Sequence, residues 1–229
     1  MLKNFSDQIF QTDLSRRCST GMRNIKILSL GLLISFAACQ SSKNSQHKTD
    51  SIASIESGPG KIIDERFLIV PGRSVGDISL GEDMTKVSAK LGRPDDGDAA
   101  MGKAWGIWYS KDSTSGRRDE LAVYSSYRDT SMSVKEVKQI RITSPKYKTQ
   151  DGFTTGFSES DTRSKFPSLE RISAYLNEQK DTVVIYDAKT DGIGFEFLKG
   201  KSISITVHPK NQSVNGTYLT LHPEWKQIE

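Results

Sequence analysis

Ile78-Ser79-Leu80-Gly81-Glu82-Asp83-Met84-Thr85-Lys86-Val87-Ser88-Ala89-Lys90-Leu91-Gly92-Arg93-Pro94 decides the fold class. Met84, Val87 and Leu91 recur at i, i+3, i+7, which predicts one apolar face of a short helix. Gly81 opens the turn before it, Glu82 and Asp83 suit the positive helix start, and Gly92 with Pro94 stops it. Phe153 to Pro167 repeats the layout. Gly156 and Phe166 keep the spacing of Gly81 and Leu91, and Ser158 with Asp161 forms a Ser-x-x-acid cap signal. Pro167 ends that helix.

Alternating segments follow each helix. After the first come Ala104 to Ser110, Glu120 to Tyr127 and Glu136 to Thr143. After the second come Thr182 to Asp187, Gly192 to Leu198 and Ser202 to His208. Period-2 alternation is clean in Ile193, Phe195, Phe197 and in Ile203, Ile205, Val207. Ser115-Gly116, Asp191-Gly192 and Lys199-Gly200 mark turns between them. A last strand is expected from Thr217 to His222, and Leu169 to Glu178 reads as another short helix. The expected fold is α+β, two tandem units (61–146 and 147–229), each a short helix on an antiparallel sheet of three to four strands.

The order Ile-x-Leu-Gly, helix, Leu-Gly-x-Pro, Trp-Tyr and strand meander resembles the BamE (SmpA/OmlA) and beta-lactamase-inhibitor-protein-like superfamily. The positions that carry the resemblance are Leu80, Gly81, Val87, Leu91, Gly92, Pro94, Trp108, Tyr109, Leu121 and Val123. The second unit matches more loosely, through Gly156 and Phe166, without the Leu-Gly-x-Pro ending. The resemblance implies a helical segment packed on a small antiparallel sheet, and binding or envelope assembly rather than catalysis.

Alternation also assigns faces. If Leu121, Val123, Ile140, Ile142, Ile193, Phe195, Phe197, Ile203, Ile205 and Val207 face the helices, then Tyr124, Gln139, Arg141, Glu196, Ser204, Thr206 and His208 face away. Tyr and Arg are favoured at binding hot spots, so these seven are the candidate surface for a protein partner. The alternative is the wet side of an ordinary antiparallel sheet.

Upstream, Met22-Arg23-Asn24-Ile25-Lys26 precedes an apolar run from Ile27 to Ala37, and Phe36-Ala37-Ala38-Cys39 closes it. A positive start, a short apolar stretch and small residues form a signal peptide. With Cys39 directly after the small pair, the stretch resembles the lipobox of bacterial lipoproteins, although Phe36 stands where Leu is commoner. The resemblance implies cleavage before Cys39, acyl chains on its sulfur and amino group, and a lipid anchor in the cell envelope. The run is about half the ~20 residues that a spanning helix needs. Residues 1–38 are therefore expected to be an extension plus signal, with Met22 as the preferred start and a long leader as the alternative. Residues 39–60, rich in Ser, Asn, Lys and Gln, form an expected tether with a reach of roughly 25 Å. No acidic cluster follows Cys39, so by resemblance the domain is expected to face the periplasm, with inner or outer membrane open.

Five bases (Lys3, Arg16, Arg17, Arg23, Lys26) and two acids (Asp7, Asp13) precede Cys39. Taking them from the chain's 32 and 28 leaves 27 and 26, a net charge near +1. No basic patch with interleaved aromatics invites nucleic acid. Cys18 goes with the signal, which leaves no thiol to pair with Cys39.

The three histidines, His47, His208 and His222, stand apart with no metal-ligand spacing, and no Gly-x-Ser-x-Gly is present. Asp95-Asp96-Gly97-Asp98 lacks the further ligands of a calcium loop and reads as a polar turn. No cofactor or metal is expected, and no catalytic residue. Two rival functions remain, an outer-membrane assembly factor and an unrecognised periplasmic enzyme. A pocket gathering His208 or His222 with two carboxylates would favour the enzyme.

Overall fold

The chain divides into two units, Met1–Ser54 and Ile55–Glu229. The computed structural model describes residues 63–114, 116–214 and 221–229, all in the second unit. The signal segment, Cys39 and the tether lie outside the described residues.

A small four-stranded sheet comprises β1 (Leu68–Val70), β2 (Ser74–Val75) and β3 (Ile78–Ser79), with β8 (Lys148–Thr149) parallel to β1. Helix α1 (Met84–Leu91) precedes the meander β4 (Asp96–Ala100), β5 (Lys103–Thr114), β6 (Arg117–Tyr127) and β7 (Lys135–Ile142). Helix α2 (Glu159–Lys165) precedes a second meander: β9 (Glu170–Leu176), β10 (Thr182–Ala188), β11 (Ile193–Leu198) and β12 (Lys201–Val207). Strand β13 (Lys226–Gln227) ends the chain.

The two meanders do not form separate layers. They join through β7 and β12, where Ile140, Arg141 and Ile142 pair with Val207, Thr206 and Ile205. One sheet of nine strands results, ordered β13-β9-β10-β11-β12-β7-β6-β5-β4. The expectation of an α+β fold with two tandem helix-on-sheet units is thereby overturned: the protein is mostly β. The reason lies in the two strands that would have been edges. Both carry apolar side chains on one face and polar ones on the other, Gln139 and Arg141 on β7 and Ser204 and Thr206 on β12, and an exposed edge with an apolar face is a liability unless paired. Pairing them satisfies both ladders and merges two small cores into one.

Repetition survives in local detail. Gly81 donates to the carbonyl of Val137 at 2.8 Å and receives company from Val137 N–H, which donates to Glu82 at 2.9 Å. Gly156 and Phe157 make the same pair of bonds with Ser202, at 2.8 and 3.0 Å. Each helix is thus pinned to the last strand of its own meander through a glycine with positive φ, +75° and +91°. The helix starts follow the expected chemistry. Asp83 caps α1 by accepting from Thr85 N–H at 2.8 Å, and Ser158 with Asp161 forms a capping box on α2.

Two local expectations fail. Leu169 to Glu178 is strand β9, not a helix: its Ala, Leu and Glu favour helix, but pairing with β10 from Thr182↔Leu176 to Asp187↔Glu170 prevails. Asp95 to Asp98 is no turn either; Asp96 opens β4, which pairs with β5 from Asp96↔Ile107 to Ala100↔Lys103. Most of the expected strand from Thr217 lies outside the described residues.

The core lies between one face of the large sheet and the small sheet with its helices. Val123, Ile140, Ile142, Ile205, Val207 and Phe195 meet Ile69, Val75, Ile78, Val87, Phe153 and Phe166 there. A bulge between Glu196 and Phe197 sets Phe197 opposite Ser202, so Ile203 is only half-buried.

Candidate functional site: a covered sheet face with a charged floor

The second face of the sheet holds all seven candidate residues, as alternation assigned them. Register lines run Trp105↔Tyr124↔Gln139 across β5, β6 and β7, and Ala122↔Arg141↔Thr206↔Gly194↔Asp187 from β6 to β10. Yet none of the seven is on the exterior. Tyr124, Gln139, Arg141, Glu196, Ser204, Thr206 and His208 are all under 9 % exposed. Val214 and residues 221–227, which follow β12, cover them.

That cover is attached at two places. Val214 donates its N–H to Asp187 Oδ2 at 3.0 Å, and its carbonyl accepts from Gln139 Nε2 at 2.9 Å. Its side chain packs where a Cβ on Gly194 would stand, at 3.0–3.1 Å, so the glycine makes room for it. Asp187 is held in turn by His208 Nε2 at 2.9 Å, with His208 Nδ1 3.1 Å from the Pro209 carbonyl. Farther on, β13 pairs with β9 through Lys226↔Leu176 and Gln227↔Tyr175. Leu221 packs against the Trp105, Ala122 and Tyr124 cluster, and the Trp225 ring stacks on His222 with centroids 3.9 Å apart.

Under the cover, Arg141 lies across four strands with every nitrogen engaged. Its Nε and Nη2 donate to the two carboxylate oxygens of Glu196 at 3.1 and 2.6 Å, and Nη1 donates to Glu120 at 2.8 Å. Ala122, opposite Arg141 on β6, and Ser204, opposite Glu196 on β12, are small residues beside this pair. Burial opposes both charges. It pulls the Arg141 pKa down, but Glu196 and Glu120 outweigh it and the net shift is upward. It pushes the Glu196 carboxyl up, but Arg141 outweighs that and holds it below 4.5. Both groups stay ionised, and the trio carries a net charge of about −1. His222 Nε2 is buried with no hydrogen-bond partner among the described residues.

Between cover and floor lies a cavity of about 350 Å³. Trp105, Tyr175, Val214, Leu221 and Trp225 form its apolar walls, while Arg141, Glu196, Gln139 and Thr206 supply the polar floor. A second cavity of about 420 Å³ abuts it, and Trp105, Leu221, His222 and Pro223 line both. The outer one is rimmed by Asp96, Asp98, Glu120, Glu178 and Glu224. The failed turn thus has a consequence: as a strand, β4 places Asp96 and Asp98 on one face, opposite Ile107 and Trp105.

His222 stands at the junction of the two cavities. Burial lowers its pKa, against the pull of Glu196, so the ring is neutral at pH 7. Its Nδ1 is 3.5 Å from Glu224 Oε1. Unfolded His222 takes up a proton as pH falls through about 6.5, whereas the folded ring resists. Stability is therefore expected to decline as pH drops below that value, and to level off beneath the lowered folded pKa. Glu196 acts farther down: its contribution is full above 4.5 and is lost as pH falls through its depressed value. His222→Gln should flatten the decline between about pH 7 and pH 5 in urea-unfolding measurements and leave the lower limb in place. An unchanged upper limb would show that His222 is not the group responsible.

No protein-family model matches this chain, and neither a curated protein nor a solved structure matches it. Sequence reasoning named His222 only as a conditional member of an enzyme's pocket, and it missed Trp225 and the rim. The available signal was Glu196 between Phe195 and Phe197, with Arg141 between Ile140 and Ile142: opposite charges placed within strands otherwise built for burial.

Proposed function

We propose that this protein is a lipid-anchored component of a bacterial cell envelope that binds a small ligand in the divided cleft on the covered face of its sheet. The observation that carries the reading is the cleft's construction. An ion trio beside small residues forms a polar floor, aromatic rings form the walls, and the two connected compartments are large enough for a small molecule. The lipobox-like segment and the BamE-like order of elements support the envelope setting and a binding role. A protein partner would reach the seven candidate residues only by inserting a side chain into the cleft or displacing the cover.

Leu221 lines both compartments on the cover, so Leu221→Trp narrows the cleft at its junction while leaving the floor intact. The parent, purified from native membranes, should carry a small molecule detectable by mass spectrometry that the variant lacks. Equal yields from both, or nothing from either, would remove the cleft from consideration. For the anchor, Cys39→Ser is expected to move the protein from the membrane to the soluble fraction. Unchanged fractionation would end the lipoprotein reading.

His222 favours a second reading, an enzyme. A neutral imidazole with an unpartnered Nε2 shares its cavities with Glu196, Glu120 and Glu224, the composition of a general-base site. Turnover of the co-purifying molecule that disappears in His222→Gln, with binding retained, would establish it.

A further inference from the structure

We infer that the hairpin tips carrying Met101 and Met132 dock into a phospholipid surface, so that the domain meets the membrane with one end of its sheet as well as through its lipid. The choice of a bilayer as occupant rests on the lipid-anchored envelope reading, and it is independent of the cleft.

Among the described residues, the large apolar side chains left exposed are Met101, Met132 and Ile228, and the two methionines lead them at 80 % and 63 %. Both stand at one end of the large sheet. Met101 and Gly102 form the turn between β4 and β5, and Met132 lies in the loop between β6 and β7. The pairing Lys103↔Ser126 sets these connections side by side, roughly two strand spacings or about 10 Å apart. Tyr127 lies between them. Its ring is 3.0 Å from where a Cβ on Gly102 would stand, and Lys135 Nζ is 5.4 Å from its centroid. Ala99 and Ala100 lead into the Met101 turn, so this end of the sheet edge is apolar.

The backbone does not demand methionine at either place. Both have positive φ, +50° and +53°, a region that Gly and Asn adopt more readily. An equivalent turn shows the alternative: Lys199-Gly200, between β11 and β12, has φ of +51° and +76° against +50° and +80° at Met101-Gly102, and it presents a lysine. Asn211 takes the same region at +63°. Two neighbouring apolar tips in water, where polar residues fit the same backbone, call for an apolar medium outside the chain. The flanking charges nearly balance, Lys103, Arg128 and Lys135 against Asp129 and Glu136, with Arg128 bonded to Glu136 at 2.7 Å. Side-chain insertion is therefore the mode of docking, not attraction of a basic patch to anionic headgroups. Tyr127 behind the tips suits the interface, where its hydroxyl stays wet. The stretch from Cys39 to Ile63 spans up to roughly 80 Å when extended, long enough for this end of the domain to touch the bilayer that holds the anchor.

Peroxide footprinting reads the tips directly, because exposed thioethers oxidise to sulfoxide. The protein purified from native membranes is placed on phosphatidylethanolamine–phosphatidylglycerol vesicles and compared with the Cys39→Ser chain in solution. Oxidation of Met101 and Met132 should be at least about fivefold slower on the vesicles, at low and high salt alike. Met84, packed on the core, is the reference and should not change. The variant Met101→Asn, Met132→Asn should keep or raise the parental Tm. On vesicles its amides at 101–102 and 128–134 should exchange as fast as in solution, whereas those of the parent are slowed. Unslowed oxidation in protein that sediments with the vesicles would overturn tip docking and leave the anchor standing. Protein that fails to sediment would overturn both. Protection in native membranes but not on the vesicles would assign the tips to a protein partner and overturn the lipid surface. Slowed exchange retained by the asparagine variant would show that the methionines do not insert.

Discussion

Replacing Arg141 with Met is expected to destabilise the folded domain by about 3–5 kcal/mol, because it leaves Glu196 buried with no counter-charge. Glu196 loses both of its guanidinium hydrogen bonds at once, while Glu120, nearer the solvent, loses one and is rehydrated. Burial, the largest influence on the Glu196 carboxylate, is then opposed only by the smaller pulls of His222 and Ser204, so its pKa should reverse direction and rise above 4.5. The pH profile should follow: stability that the parent keeps above its depressed Glu196 value should in Arg141→Met increase as pH falls and the carboxyl protonates. The double variant Arg141→Met, Glu196→Gln separates the charge from the packing. Removing both partners of a buried pair is often close to neutral, so most of the loss should return. A single-variant loss below about 1 kcal/mol would mean that water reaches Glu196 freely, and the floor would then not be a desolvated trio.

The face assignment and the burial of that face were legible to different degrees. Period-2 alternation placed Tyr124, Gln139, Arg141, Glu196, Ser204 and Thr206 on one side because a strand's geometry fixes it locally. What lies on top is decided by contacts far along the chain. Leu221-His222-Pro223-Glu224-Trp225 has neither helical nor strand periodicity. It is held by Trp225 against His222, by Leu221 against Trp105 and Tyr124, and by the earlier clamp on Val214. The fold class failed for a related reason. Each meander was recognised from its own pattern, but the pairing of β7 with β12 joins residues about sixty apart and has no local signature. Strands β4 and β9 show the opposite failure, in which strong local signals, Asp-Gly-Asp for a turn and Glu, Ala and Leu for a helix, lost to a neighbouring strand's free edge.

Phe195→Ala should cost a similar 3–5 kcal/mol, and how the domain then unfolds tests whether it has one core or two. The Phe195 ring is 1 % exposed, with centroids 5.3 Å from Phe166, 5.7 Å from Phe153 and 6.4 Å from Phe197. Phe153 precedes α2 and Phe166 caps it, so truncating Phe195 removes what the helix end packs upon. Phe195→Leu keeps most of the volume and should cost less than about 1.5–2 kcal/mol. In a protein of two independent units, the alanine variant would loosen β9 to β12 and spare β4 to β7. Here Phe195 pairs with Ile205, and Ile205 with Ile142 across the seam, so the damage is expected to spread. Trp108 provides the probe, since it packs on the same core from β5 in the other meander. In a Trp105→Phe, Trp225→Phe background, the Trp108 fluorescence transition of Phe195→Ala should coincide with the far-ultraviolet circular dichroism transition, both at lower denaturant than in the parent. A Trp108 transition left at the parental midpoint would mean that the seam between β7 and β12 does not couple the two meanders, and that the nine strands behave as two sheets laid edge to edge.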